Sequence, residues 1–280
     1  MMETIYAVMD ALLPFEFLRF TFMKNALLAL LLLTPLLSLF GTMAVNRRMA
    51  FFSDALGHSA LAGVGIGLLL GLTNVTISLL VFGILWALLI CRINRSGGVS
   101  ADTTISVFSS TGIALGLLIL SRGGGFSKYA YLLTGDVLSI SAGDILWLAA
   151  ALVLGVTFWV LLYNKLLLTA VNPQLAQSRS IGTKWVEYAF VTLVAVAVML
   201  AIRWVGVLLI NALLILPAAA ARNVSKTAAQ HALYSVLIGL ISGVAGLVLA
   251  FYADTGVGAA VVLCAAACYA ASLGLKRFVK

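Results

Sequence analysis

Nine apolar stretches, each about 20 residues long, follow one another with only short polar joints between them. They cover roughly residues 25–45, 50–71, 74–92, 102–121, 143–164, 186–203, 205–221, 230–252 and 257–275. At 1.5 Å of rise per residue, about 20 residues in a helix cross a hydrocarbon core of ~30 Å. Backbone in lipid must satisfy its own hydrogen bonds, and runs of this length do so as helices rather than as barrel strands. Composition points the same way: 63% of the 280 residues are hydrophobic and 9% are charged, with a mean hydropathy of +1.17. A soluble domain carries about 25% charged residues. The sequence therefore predicts an all-α integral membrane protein, one polytopic bundle spanning 1–280. The sixth and seventh runs almost touch at IRWVG, so the expected count is eight to nine helices.

The net charge of +8 would suggest a nucleic-acid partner in a soluble chain. Here the cations sit in short joints between apolar runs and read as topology signals, with no role for nucleic acid. If the first span ends in the cytosol, only Arg19, Lys24, Arg122, Lys128 and Arg203 of the 17 Lys and Arg lie outside. This places the N-terminus outside and the C-terminus in the cytosol, in a multi-pass cytoplasmic or inner membrane. Residues 1–24 have Glu3 and Asp10 where a signal peptide would be basic, so they read as an interfacial segment broken by Pro14. Cys91, Cys264 and Cys268 lack paired zinc spacing and read as small core residues.

Two loops stand out. Residues 122–142 are Gly-rich and outer, and the apolar YAYLL within them predicts a short helix lying on protein. Residues 165–185 form the longest inner loop. Asn172 suits an N-cap, Pro173 the first helical turn, and Gly182 a stop, which predicts a short cytosolic helix over 173–181.

The apolar run that opens FFSDALGHSALAG carries two polar side chains, Asp54 and His58. Spacing of i, i+4 puts them on one helix face, about 10 and 16 Å along from Arg47. A charge at that depth costs on the order of 3 kcal/mol, so the pair should face protein, water or a partner group. Carboxylate with imidazole suits a divalent transition metal; the two could equally pair with each other or cap a neighbouring helix. Ser59, Gly63, Gly67 and Gly71 recur every fourth residue on this helix and predict close packing against a neighbour. His231, the other histidine, sits at the inner start of the eighth run as a further candidate ligand. Asp102 reads as the N-cap of the fourth run, and Asp254-Thr255-Gly256 as a turn.

There is no G-x-x-x-x-G-K-[ST], no H-E-x-x-H and no G-x-S-x-G in the chain, so no known nucleotide loop or assembled nucleophile is present. If ATP drives this protein, the ATPase is expected on another chain.

Five segments resemble, in order, the permeases of zinc/manganese/iron-type ABC importers: NRRMAFFSDALGHSALAGVGIGLLLG, ADTTISVFSSTGIALGLLIL, YLLTGDVLSIS, NPQLAQSRSIG and VGVLLINALLILPAAAAR. The resemblance implies the membrane-spanning subunit of a metal importer that works by alternating access and holds no covalently bound cofactor. A second copy of the chain, two cytosolic ATP-binding subunits and an extracytoplasmic metal-binding protein are the implied partners. It implies a coupling helix at Asn172, Pro173, Ala176 and Gly182, and a zinc or manganese pathway through Asp54 and His58, with His231 as a further ligand. Typical members carry more acids in the coupling segment; Asn172 and Gln174 depart from that pattern. The alternative is a secondary cation transporter driven by a proton or sodium gradient, with Asp54 and His58 as a proton relay.

Overall fold

A computed structural model describes residues 2–12, 15–122 and 126–279. The chain runs through α1 (Met2–Leu12), α2 (Thr21–Asn46), α3 (Phe52–Leu69), α4 (Val75–Arg95), α5 (Ala101–Arg122), α6 (Phe126–Tyr129) and α7 (Tyr131–Thr134). It continues through α8 (Ala142–Val171), α9 (Pro173–Ser178), α10 (Thr183–Val224), α11 (Ala228–Ala253) and α12 (Val257–Val279). No strand occurs among the described residues. Eight of these helices are long and apolar enough to cross a membrane.

The expected sixth and seventh spans form one helical element, α10, of 42 residues. Straight, it would reach about 63 Å, twice the hydrocarbon thickness. It is broken at Gly206, whose φ of 76° and ψ of 162° lie outside helical space and are open to a residue without Cβ. Contacts show that the chain folds back there. The Arg47 guanidinium lies 5.5 Å from the Phe190 ring centroid, and Arg222 donates to Val45 O at 3.2 Å. Both halves of α10 thus reach the end of α2, which a straight helix could not do. At the corner, Gly206 backs onto Gly135 so closely that a Cβ on either would strike the other's backbone. Asp136 N donates to Trp204 O at 3.1 Å, fixing the α7 segment under the bend. The YAYLL stretch is therefore α6 and α7, with Tyr129 and Leu132 buried on protein. Pro14, the expected break in the N-terminal segment, lies outside the described residues.

Burial sorts the helices. In α2, α3 and α10, 67–72% of the most apolar window is buried, against 17% in α8. The first three are the centre, and the others face outward with leucine-rich surfaces. The ladder on α3 explains part of this. Gly63 faces Phe82, Gly67 faces Ser78, and Ser59 packs on Gly112 of α5. A Cβ at Gly116 would lie 2.7 Å from Ala62 N, so α5 approaches α3 backbone to backbone. Gly71 does not belong to this surface. It has φ of 73° with no atom within 4 Å of its Cβ position, and Leu72 N bonds Gly67 O at 2.9 Å. It ends α3 in a Schellman turn, a role that needs a left-handed residue rather than a small one.

Helix ends follow local chemistry. Asn74 caps α4 through Thr76 N and Ile77 N. Ser141 and Asp144 form a reciprocal capping box on α8. Ser100 caps α5 by accepting from Thr103 N at 3.1 Å, which leaves Asp102, the expected cap, inside the first turn. Pro217 lacks the N–H that would bond Leu213 O, and Ser38 Oγ donates to that carbonyl instead. Asp254 has φ of 50° and closes α11 in a turn.

The termini lie at opposite ends of the bundle. Tyr6 of α1 bonds Asn25, Lys24 pairs with Asp10 at 2.6 Å, and Asn25 donates to Ile140 O at 2.9 Å. These contacts mark the end expected outside. At the other end, Asn223 donates to Ser272 Oγ at 2.9 Å, near the last turns of α12.

Candidate functional site

α3 begins at Phe52, and Asp54 and His58 sit one turn apart near its start. Their shared face meets α10 just beyond the Gly206 corner. Asn211 Nδ2 donates to Asp54 Oδ1 at 2.7 Å, and His58 Nε2 lies 3.2 Å from that same oxygen. One carboxylate oxygen thus serves both an amide and an imidazole. The His58 and Asp54 side chains are 34% and 37% exposed, although they lie in a central helix. What they face is a cavity of about 390 Å³ between α3, α5, α7 and α10. Leu61, Ile113, Leu117, Leu133 and Val207 supply apolar walls. Polar atoms are few and convergent, as expected of a site that selects one small polar guest.

Asn211 was not a sequence candidate. It is the one carboxamide in the apolar run from Trp204 to Ala221, and that isolation is the signal that could have found it. With Nδ2 on Asp54, its Oδ1 is buried without a hydrogen-bond partner. Such an acceptor is costly to bury and calls for a donor or a cation. Reversing the amide would set two oxygens against each other, so the donor belongs on Asp54.

Two ligands each 2.0–2.1 Å from a tetrahedral zinc ion stand about 3.4 Å apart. The 3.2 Å between Asp54 Oδ1 and His58 Nε2 is close to that spacing. The pair can trade its hydrogen bond for a shared ion with small side-chain rotations.

His231 is not brought to this cavity. It is 5% exposed in the first turn of α11, and its Nε2 is 2.9 Å from Ala218 O. Ala218 lies seven residues beyond Asn211, about 10 Å along the helix. The expected set of Asp54, His58 and His231 does not assemble, because the α11 start packs on the far part of α10. Among the described residues, no three His, Cys, Asp or Glu side chains gather closely enough to hold a metal.

The inner loop carries α9, shorter than expected. Asn172 Oδ1 accepts from Leu175 N at 3.0 Å, and Pro173 takes the first helical position. Ala176 is fully buried beneath it. Gly182 does not stop this helix. Ser180, with φ of 57°, takes the left-handed position, and Ile181 N bonds Ala176 O at 3.1 Å. Gly182 has φ of −66° and stands at the start of α10. The helix ends at Ser178, four residues before the glycine, because the C-terminal turn closes on serine.

The chain matches known proteins along almost its whole length. Residues 19–276 match the ABC 3 transport family. The chain belongs to that family. Among its relatives is the high-affinity zinc uptake system membrane protein ZnuB of Haemophilus influenzae, 30% identical over 91% of this chain and 97% of that protein. The manganese import system permease protein ScaB of Streptococcus parasanguinis is also 30% identical, over 89% and 88% of the two chains. Among solved structures, PsaBC from Streptococcus pneumoniae in complex with Fab superposes with a TM-score of 0.78 at 25% identity, covering 96% of this chain and 95% of that one. In this ABC 3 chain a larger cavity, about 980 Å³, is an apolar groove on the outer surface of α4, α8 and α10. It contains no acid or histidine, so size alone does not locate the polar site.

Proposed function

We propose that this chain is the multi-pass permease subunit of an ATP-driven importer of zinc or manganese. Membership of the ABC 3 transport family and full-length similarity to zinc and manganese permeases support the transport role. ATP hydrolysis belongs to a separate cytosolic subunit pair, because no phosphate-binding loop occurs in these 280 residues. The permease works as a homodimer, receives metal from an extracytoplasmic binding protein, and meets the ATPase through α9.

The observation that carries the site is the Asp54–His58–Asn211 group at the cavity wall. Asp54 and His58 are the ligands, and the free Asn211 oxygen offers a third contact. Two or three ligands completed by water hold an ion more weakly than a closed four-ligand site, so the ion can leave again. The apolar walls keep the guest small and stop the carboxylate from finding other partners. As ATP closes and opens the ATPase pair, α9 moves and the cavity changes its access from one side to the other.

The test is metal uptake in a zinc- and manganese-depleted host that co-expresses the chain with its ATPase and binding protein. Uptake should require a hydrolysis-competent ATPase and survive collapse of the proton and sodium gradients. Uptake that ignores the ATPase and disappears with a gradient would establish a secondary transporter instead.

A further inference from the structure

Arg47 stands where the segment around α9 meets the connection that leads into α3. Its Nη2 donates to Thr169 Oγ1 and lies 3.5 Å from Leu166 O. Thr169 spends its own proton on Leu166 O at 3.0 Å, so it presents a lone pair to the arginine. Thr169 is in the last turn of α8, three residues before Asn172. The other face of the guanidinium covers the Phe190 ring, 5.5 Å from its centroid. Phe190 is in the second turn of α10. One side chain therefore grips the helix that enters α9 and the helix that leaves it.

The connection from Arg47 to α3 is stiff. Arg48 N bonds Val45 O at 3.2 Å and Met49 N bonds Ala44 O at 2.9 Å. These are the two bonds of a Schellman turn, here with Arg48 itself left-handed at φ of 58°. Met49 is 3% exposed and anchors the turn in the core. Asp54 follows seven residues after Arg47. Beside this junction Arg95 of α4 pairs with Glu187 of α10, so five helices, α2, α4, α8, α9 and α10, converge at one polar pocket of about 460 Å³. Arg47 Nε is buried and has no acceptor. A buried N–H left unpaired costs free energy that a second arrangement of the same helices can recover.

We infer that Arg47 is a positioning residue: it carries displacement of the α9 segment into α3, and so to Asp54 and His58. The inference rests on the importer reading, and its test separates the two. Permease, ATPase and metal-loaded binding protein are reconstituted in vesicles, and ATP hydrolysis and zinc or manganese uptake are measured in the same sample. Thr169→Val removes the acceptor at nearly constant volume. Arg47→Gln removes the cation, and Arg47→Lys keeps the charge but loses the planar fork. In Thr169→Val and Arg47→Gln, metal moved per ATP hydrolysed should fall about 10-fold, inside the usual range of coupling energies. Hydrolysis should persist, and equilibrium metal binding to the purified permease should stay at the wild-type value. Thr169→Ser, which restores the hydroxyl, should restore the ratio. If Arg47→Gln fails to assemble, Thr169→Val carries the test. A ratio within about twofold of wild type in Thr169→Val, or uptake and hydrolysis falling together, would overturn the role of Arg47. Wild-type vesicles that hydrolyse ATP and move no metal would instead overturn the importer reading, and this inference with it.

Discussion

The chain has two histidines, and the fold gives them opposite surroundings. His58 belongs to a central helix yet keeps 34% of its side chain exposed to a cavity, beside a carboxylate that already serves an amide. His231 starts an outer helix yet is 5% exposed, with its Nε2 spent on a backbone carbonyl. Position along the sequence made them look alike, since both stand near the expected inner ends of apolar runs. What separates them is the partner each finds. A ring that faces an open volume and a shared carboxylate can exchange its hydrogen bond for a cation. A ring that closes a contact between α10 and α11 holds structure.

The contrast can be broken most forcefully at the cavity. His58→Ala and Asp54→Asn should each lower ATP-dependent uptake about 100-fold or more, beyond the 10–100-fold that loss of an outer-sphere partner costs a metal site. Radiometal uptake at matched membrane abundance checks this. Next in size is the wall that holds α3 in place. Gly116→Val sets a side chain against the backbone at Leu61 and Ala62, and should destabilise the fold by about 1–3 kcal/mol while spreading α3 from α5. Thermal unfolding in detergent, with metal binding measured alongside, reads both effects.

Acid provides a milder probe. A ligating imidazole must be neutral, so protons compete with the metal for His58. Metal affinity should therefore fall as pH is lowered through the range in which that ring gains its proton, by about tenfold per pH unit for one competing proton, and be restored when the pH is raised again. In His58→Ala the residual affinity should lose most of that dependence. The smallest effect belongs to the other histidine. His231→Gln should cost about 1 kcal/mol of stability, the usual net worth of one hydrogen bond. Its uptake per molecule should stay close to wild type, which a thermal melt paired with transport would show.

How much of this was legible in the sequence depends on the range of the interaction. The apolar runs fixed the helical membrane fold, because their length alone decides what can cross lipid. The Asn172 cap was readable, since it involves atoms three residues apart. The C-terminal turn of α9 was misread, because glycine is the usual left-handed residue and Ser180 takes that place here. Gly71 was misread in the opposite sense: periodicity grouped it with the packing residues, whereas its backbone serves as a helix stop. The partnership of Asp54 with Asn211 spans 157 residues and leaves no periodic trace. It exists because α10 folds back at Gly206 and lays its second half against the start of α3. That corner depends on two glycines, at 135 and 206, meeting backbone to backbone, which neither local pattern announces.

The central claim is that Asp54 and His58 bind the transported ion and His231 does not. Equilibrium binding of zinc and manganese to the purified, detergent-solubilised chain tests it directly, with wild type, Asp54→Asn, His58→Ala and His231→Gln compared at pH 7.5. The account predicts about 100-fold weaker binding of the transported metal in the two cavity variants, and near-wild-type binding in His231→Gln. Undiminished binding in folded Asp54→Asn and His58→Ala, or its loss in folded His231→Gln alone, would contradict it.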